Sequence, residues 1–250
     1  MAGKLITIKA GDGDCEAYVA APDGGGTFPG VLFYMDGVGF RPTVHRMADR
    51  IAAAGYVVLL PNMFYRFGPA QPVNIAELFK PENRPALMER VLSITPERLV
   101  RDAGKFLDFL GAHPSVTPGS KVGLTGYCMG GGMVMRTAAA YPARVGAGGA
   151  FHAGRLATDD ITSPHYLAGA IKAELYFGHA DKDTGMPPEA IEKLEQSLKE
   201  AGVKFRSELY VGALHGYTMP DLVTIYDKEA DERHYRELLS LFARTLSHGR

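Results

Sequence analysis

The sequence predicts an α/β fold: a mostly parallel central sheet with helices on both faces and an antiparallel hairpin at the N-terminus. Three observations predict it. Short apolar runs of strand length alternate with segments of helical spacing over most of the chain, the pattern of a parallel sheet with crossover helices. The runs are nearly continuously apolar, as strands covered on both faces must be. The first two segments are different: they flank Gly11-Asp12-Gly13-Asp14, a strong hairpin signal.

Each element follows from the local pattern. Residues 5–9 and 15–20 form the hairpin, and residues 22–29, with Gly24-Gly25-Gly26, form a loop. Residues 30–35 read as the first buried strand. Residues 44–54 read as a helix with Val44, Met47, Ala48 and Ile51 on one face and Gly55 as its stop. Residues 56–60 form a second buried strand, ended by Pro61. Residues 62–94 are rich in Pro, Arg and aromatics and read as an irregular excursion near the active site, with a short helix near 85–91. Residues 96–110 form a helix on which Leu99, Ala103, Phe106, Leu107 and Leu110 share a face. Strands follow at 121–125, 145–151, 173–177 and 205–211, with helices at 129–140 and 187–201 and a largely helical tail at 222–246. No internal repeat or low-complexity segment calls for a linker, so residues 1–250 read as one domain.

Composition narrows the function. Charged residues make up 22% and the formal net charge is −1, with no basic run, so capture of nucleic acid or of an anionic membrane is not indicated. No apolar stretch reaches the length of about 18 residues that suggests a membrane span. The first ten residues alternate instead of forming a signal peptide's apolar core. Two cysteines, Cys15 and Cys128, then read as reduced thiols of a cytoplasmic protein.

The most informative segment is Gly126-Tyr127-Cys128-Met129-Gly130, set between a strand and a helix. A Gly-x-nucleophile-x-Gly pattern in that context is the nucleophile turn of the α/β-hydrolase fold. The turn is tight, so the glycines let strand and helix approach closely, and Gly131 and Gly132 extend the same allowance. The sulfur then sits at a helix N-terminus, where the dipole and free N–H groups favour a thiolate. The N–H of Met129 points to where an oxyanion would form. No Lys-Ser/Thr follows the glycines, which excludes a phosphate-binding loop.

A cysteine nucleophile needs a base, and the base needs an acid that holds its tautomer. Chain order in this fold is nucleophile, acid, histidine. His215 follows the last predicted strand, between Gly212 and Gly216, and is the expected base. His179 directly follows a strand and is a weaker candidate, while His234 and His248 are expected in solvent on the polar C-terminal helix. The acid belongs after the strand at 173–177. Asp183 is favoured there, in the frame Asp183-x-x-Met186-Pro187, and Asp181 is the alternative.

These residues resemble the dienelactone hydrolase family over nearly the whole chain. The resemblance rests on Gly126-Tyr127-Cys128-Met129-Gly130-Gly131, Asp183-x-x-Met186-Pro187 and His215-Gly216-Tyr217. It also rests on Met35-Asp36-Gly37 and on Pro61-Asn62-Met63-Phe64-Tyr65-Arg66. Cysteine in place of the superfamily's usual serine is the most specific of these features. The resemblance implies an α/β-hydrolase fold and carboxymethylenebutenolidase activity, the opening of an enol lactone. It puts Asp36 where the family has a glutamate that interacts with the cysteine, and Arg66 near a cation that grips the substrate carboxylate. The loop after the first buried strand supplies a second oxyanion N–H, that of Gly37.

Thiols leave well, so a tetrahedral intermediate from a plain ester reverts, whereas an enolate leaving group avoids reversal. Cysteine therefore suits activated lactones or thioesters. Tyr34, Tyr65, Tyr127, Phe151, His152 and Tyr217 are the candidate walls of the pocket. Of the nearby arginines, Arg66 is the expected substrate contact, and Arg41 and Arg84 are expected to be solvated. The expected partner is a small lactone or ester, for which a carboxylate substituent would be suitable, handled by a monomer or small homo-oligomer. No cofactor and no metal is expected, since no His/Asp/Cys cluster has ligand spacing. The alternatives are a hydrolase of another lactone or thioester on the same fold, and a redox-sensing thiol protein without hydrolase activity.

Overall fold

The computed structural model describes residues 3–246. The hairpin strands are β1 (Lys4–Ala10) and β2 (Gly13–Ala20), followed by β3 (Gly30–Tyr34), α1 (Pro42–Ala53) and β4 (Val57–Pro61). The excursion carries α2 (Ile75–Leu78) and α3 (Arg84–Leu92), with single 3-10 turns at Tyr65–Phe67 and Pro81–Asn83. Then come α4 (Pro96–Ala112), β5 (Val122–Tyr127), α5 (Met129–Ala140), β6 (Val145–Phe151), β7 (Glu174–Lys182), α6 (Pro188–Glu200), β8 (Phe205–Leu214) and α7 (Lys228–Thr245). A further 3-10 segment, Pro164–Ala170, was not anticipated from sequence.

The eight strands form one sheet in the order β1-β2-β4-β3-β5-β6-β7-β8. The β1–β2 and β2–β4 pairs are antiparallel and every other pair is parallel. This is the mostly parallel α/β-hydrolase architecture with its antiparallel hairpin edge. Strands β3, β4 and β5 are buried at every position, which explains their unbroken apolar runs. The helical periodicities also hold: Val44, Met47, Ala48 and Ile51 of α1 and Leu99, Ala103, Phe106, Leu107 and Leu110 of α4 are buried against the sheet. Among the described residues no helix is long and apolar enough to cross a membrane.

Three local expectations change. Strands β5 and β7 run on to Tyr127 and Lys182, so each ends directly before a chemically important residue. The C-terminal helix starts at Lys228, not 222, because the Asp227 side chain accepts the N–H groups of Glu229 and Ala230 at 3.0 Å and caps it there. On that helix His234 is fully buried, not solvated. Its Nδ1 lies 2.6 Å from the Asp231 carbonyl and its Nε2 3.2 Å from the Tyr127 hydroxyl. The polar helix lays a mixed stripe, His234 and Tyr235 beside Leu238 and Phe242, onto the sheet. His248 lies outside the described residues.

Candidate active site

Five strands deliver chemistry to the same edge of the sheet. Asp36 and Gly37 follow β3, and Cys128 directly follows β5. His152 directly follows β6, Asp183 β7 and His215 β8. All five strands are parallel, so these residues converge beyond their carboxyl ends, where open α/β sheets bind ligands.

The Cys128 turn is strained. Cys128 is the N-cap of α5 with φ 55° and ψ −116°, a left-handed backbone for a residue with a side chain. Such a conformation costs about 1–3 kcal/mol and persists where its surroundings over-determine it. The glycines do that here. A Cβ at Gly126 would lie 2.2 Å from the Gly130 carbonyl oxygen, and one at Gly130 would lie 2.6 Å from the Tyr34 carbonyl oxygen. A Cβ at Gly131 would come within 2.2 Å of Ala153, but one at Gly132 would meet nothing closer than 3.8 Å. Gly131 thus shares the packing role read from the sequence, and Gly132 does not.

His215 reaches Cys128 from the loop after β8. Its Nδ1 is 2.6 Å from Oδ2 of Asp183, and Cys128 is near enough to act on the ring. Burial works to depress the pKa of the ring. The bond to Asp183, followed by the Cys128 contact and both negative charges, overrides it and lifts the pKa to about 10. Asp183 is buried, and its Oδ1 accepts the Gly185 N–H at 2.8 Å, which leaves Oδ2 aimed at the imidazole. Asp181 is exposed and accepts the Gly212 N–H at 2.9 Å. It holds the end of β8 and does not bond the ring.

Cys128 and His215 open on a cavity of about 520 Å³. Asp36, Gly37, Met129 and His152 also line it, together with Leu87, Met88 and Val91 of α3 and Leu222 and Ile225 opposite. The ring of His152 is edge-on to that of His215, with centroids 5.3 Å apart, and its Nε2 lies 2.7 Å from the Thr218 hydroxyl. Burial, aided by the charge of His215, pushes the His152 pKa well below its usual range, so the ring is a neutral wall.

Several expected contacts fall elsewhere. Arg66 does not reach the cavity: it pairs with Asp12 at 2.7 Å and with buried Asp102 at 2.8 Å. The Tyr65 hydroxyl also bonds Asp102, at 2.9 Å, so this pair ties the hairpin to α4. Tyr34, Tyr127, Phe151 and Tyr217 are fully buried beneath the site and do not line it. Arg84 is exposed, as expected, and also borders the cavity. His179 is buried away from the cavity, 3.1 Å from the Ser207 hydroxyl.

Arg41 is buried, contrary to expectation. It grips Asp36 through Nη1 at 2.6 Å and Nη2 at 3.0 Å, and Asp221 through Nε at 2.6 Å. Burial acts to lower the Arg41 pKa, but Asp36 and Asp221 outweigh it and keep the guanidinium charged. Both oxygens of Asp36 are therefore engaged by Arg41. No sequence signal marked Arg41 or Asp221, because the pair joins loops far apart in the chain.

The model of the dienelactone hydrolase family matches residues 15–246. A Synechocystis protein carried under the provisional name carboxymethylenebutenolidase is 27% identical over 243 residues, 95% of each chain. The hydrolase tropI of Talaromyces stipitatus is 28% identical over 226 residues, 86% of this chain and 79% of that one. Among solved structures, a provisionally named dienelactone hydrolase of Klebsiella pneumoniae superposes with a TM-score of 0.83 at 20% identity, covering 97% of this chain and 98% of the other.

Proposed function

The chain belongs to the dienelactone hydrolase family, and on that premise we propose that it opens an activated lactone or ester by attack of Cys128. The observation that carries this reading is the Asp183–His215 bond of 2.6 Å on a ring that lines one cavity with Cys128. A ring held protonated beside the sulfur is the electrostatic partner that a thiolate nucleophile needs.

In this mechanism the sulfur adds to the carbonyl carbon and the N–H groups of Met129 and Gly37 hold the oxyanion. Both residues line the cavity with the sulfur, and a first-turn N–H such as that of Met129 has no acceptor within its helix. The C–O bond breaks and an enolate leaves, taking a proton from His215. Water then attacks the thioester, giving its proton to the ring, and the thiolate departs. Asp183 keeps Nδ1 protonated so that Nε2 faces the reaction.

The family-level activity, carboxymethylenebutenolidase, supplies the chemistry. The cavity's lining favours a bulkier substrate of the same class, a second lactone, ester or thioester. Its walls are mainly Leu, Met, Val, Ile and Phe side chains, with the exposed Arg84 at their border. A redox-sensing role has less support, because Cys15 is fully buried in β2 and its thiol is pushed up to about 12, chiefly by burial. Two free thiols suit the reducing cytoplasm, where we place the reaction.

The test is a panel of dienelactone, aryl acetate and an acyl thioester, run on the native chain and on Cys128→Ala. Turnover should fall by roughly 10⁴-fold or more in the variant, with an unchanged circular-dichroism spectrum. Retained hydrolysis in Cys128→Ala would rule the mechanism out.

A further inference from the structure

A second cleft abuts the first. It has a volume of about 240 Å³, and Val91 and Met129 line both. Its walls are of another character, with Arg136, Arg155, Thr158 and Thr162 among them. Met129, Gly132, Met133 and Arg136 all line this cleft. Their spacing is that of one helix face, so α5 lays a continuous track from the nucleophile turn to a guanidinium. Arg136 lies eight positions beyond Cys128, a rise of about 12 Å along the axis of α5.

Two features of the track point to a ligand. Gly132 is not needed for packing, since a Cβ there would meet nothing closer than 3.8 Å. Its missing side chain keeps the floor clear between Met129 and Arg136. Arg136 itself is a half-buried cation without an acid. Of the arginines that are not solvent-exposed, Arg41, Arg66, Arg144 and Arg233 each hold a carboxylate within 4 Å, and among the described residues Arg136 holds none. Its Nη2 donates to the Thr162 carbonyl oxygen. Burial depresses its pKa, with Asp160 and Glu97 opposing. A desolvated cation that lacks a counter-charge is costly unless something else supplies one. Asp160 is the carboxylate on the cleft wall, but its Oδ1 is turned to the N–H and hydroxyl of Thr162, both at 2.8 Å. Arg155 is also on the wall, so the residues that line the cleft carry one net positive charge, with Glu97 the further carboxylate acting on Arg136 from outside the lining.

We propose that this cleft is a subsite for an anionic tail, and that the preferred substrate carries a carboxylate within about 12 Å of the scissile carbonyl, bound by Arg136 and assisted by Arg155. A lactone or ester with a carboxylate-ended chain of about eight carbons spans that distance. The proposal rests on Cys128 being the nucleophile, so its test reads the thiol directly and needs no turnover.

The probes are 8-iodooctanoate and its amide, which alkylate Cys128 as the thiolate displaces iodide, followed by mass spectrometry. Buried Cys15 serves as the internal control. The ratio of acid to amide rates should be roughly ten in the native protein, the size expected of a charge-assisted hydrogen bond. It should fall to about one in Arg136→Met, recover in part in Arg136→Lys, and persist in Arg84→Met. It should also vanish in Gly132→Leu, which blocks the track without touching a charge. A native ratio near one, a ratio unchanged in Arg136→Met, or a ratio lost in Arg84→Met instead would overturn the subsite and leave the nucleophile standing. If neither reagent modifies Cys128, the nucleophile reading falls and the subsite falls with it.

Discussion

The turn that carries Cys128 and the excursion that roofs it are built in opposite ways. Strand β5 is buried at every position, and the glycines around the nucleophile are in backbone-to-backbone contact. Helices α2 and α3 contain no buried residue, and Phe79 and Leu92 are 56% and 69% exposed. The first region holds a sulfur and an imidazole in register through close packing. The second offers an apolar surface held by few contacts. On the proposed mechanism, reaction geometry would reside in the closely packed part of the molecule and substrate choice in the exposed part.

The largest effect that would test this division is at the acid. Asp183→Asn should lower kcat by roughly 10³–10⁴-fold by releasing the imidazole, as loss of a triad carboxylate does. Asp181→Asn should change it less than about threefold, being a surface substitution away from the ring. Equal losses in steady-state assays would break the assignment of Asp183 as the acid.

Next is the clamp between the rigid loops. Arg41→Met leaves Asp36 and Asp221 without their shared cation, and removing one partner of a buried ion pair costs about 3–5 kcal/mol. Urea denaturation should register that loss. A cost near zero would place the loop of Gly37 with the yielding region.

The roof should behave differently. Met88→Ala is expected to raise KM for a bulky ester several-fold while stability stays within about 0.5 kcal/mol, as for surface substitutions. A loss as large as that of Arg41→Met would show the roof to be part of the core.

A further test concerns pH. The folded-state pKa of His215 is raised to about 10, above its ordinary value of 6.5. Its stabilising contribution is therefore complete below pH of about 6.5 and is lost as pH rises through about 10. Melting curves between those limits should fall more steeply for the native chain than for Asp183→Asn. Parallel curves would mean that Asp183 does not hold the proton on the ring.

The rigid region was also the legible one. The bounds of α5 and β6 match those read from the pattern, since glycine placement and strand length are local properties. Asp183 was preferred over Asp181 on its spacing to Met186-Pro187, and it is the carboxylate that meets His215. The arginines went the other way. Arg66, expected at the substrate, serves the hairpin, and Arg41, expected in solvent, is buried, while Arg84 is exposed as expected and borders the cavity. Long side chains from irregular segments reach several neighbours, and which one they find depends on partners such as Asp12 and Asp221.

By itself the sequence determined the alternation of strand and helix, the strained turn at Cys128 and the chain order of sulfur, carboxylate and imidazole. Each of these is set by steric and periodic rules acting over a few residues. Tertiary structure alone decided which guanidinium is buried, which faces the cavity and which lacks an acid. Long-range charge pairing depends on where distant loops come to rest, and that is a property of the packed sheet as a whole.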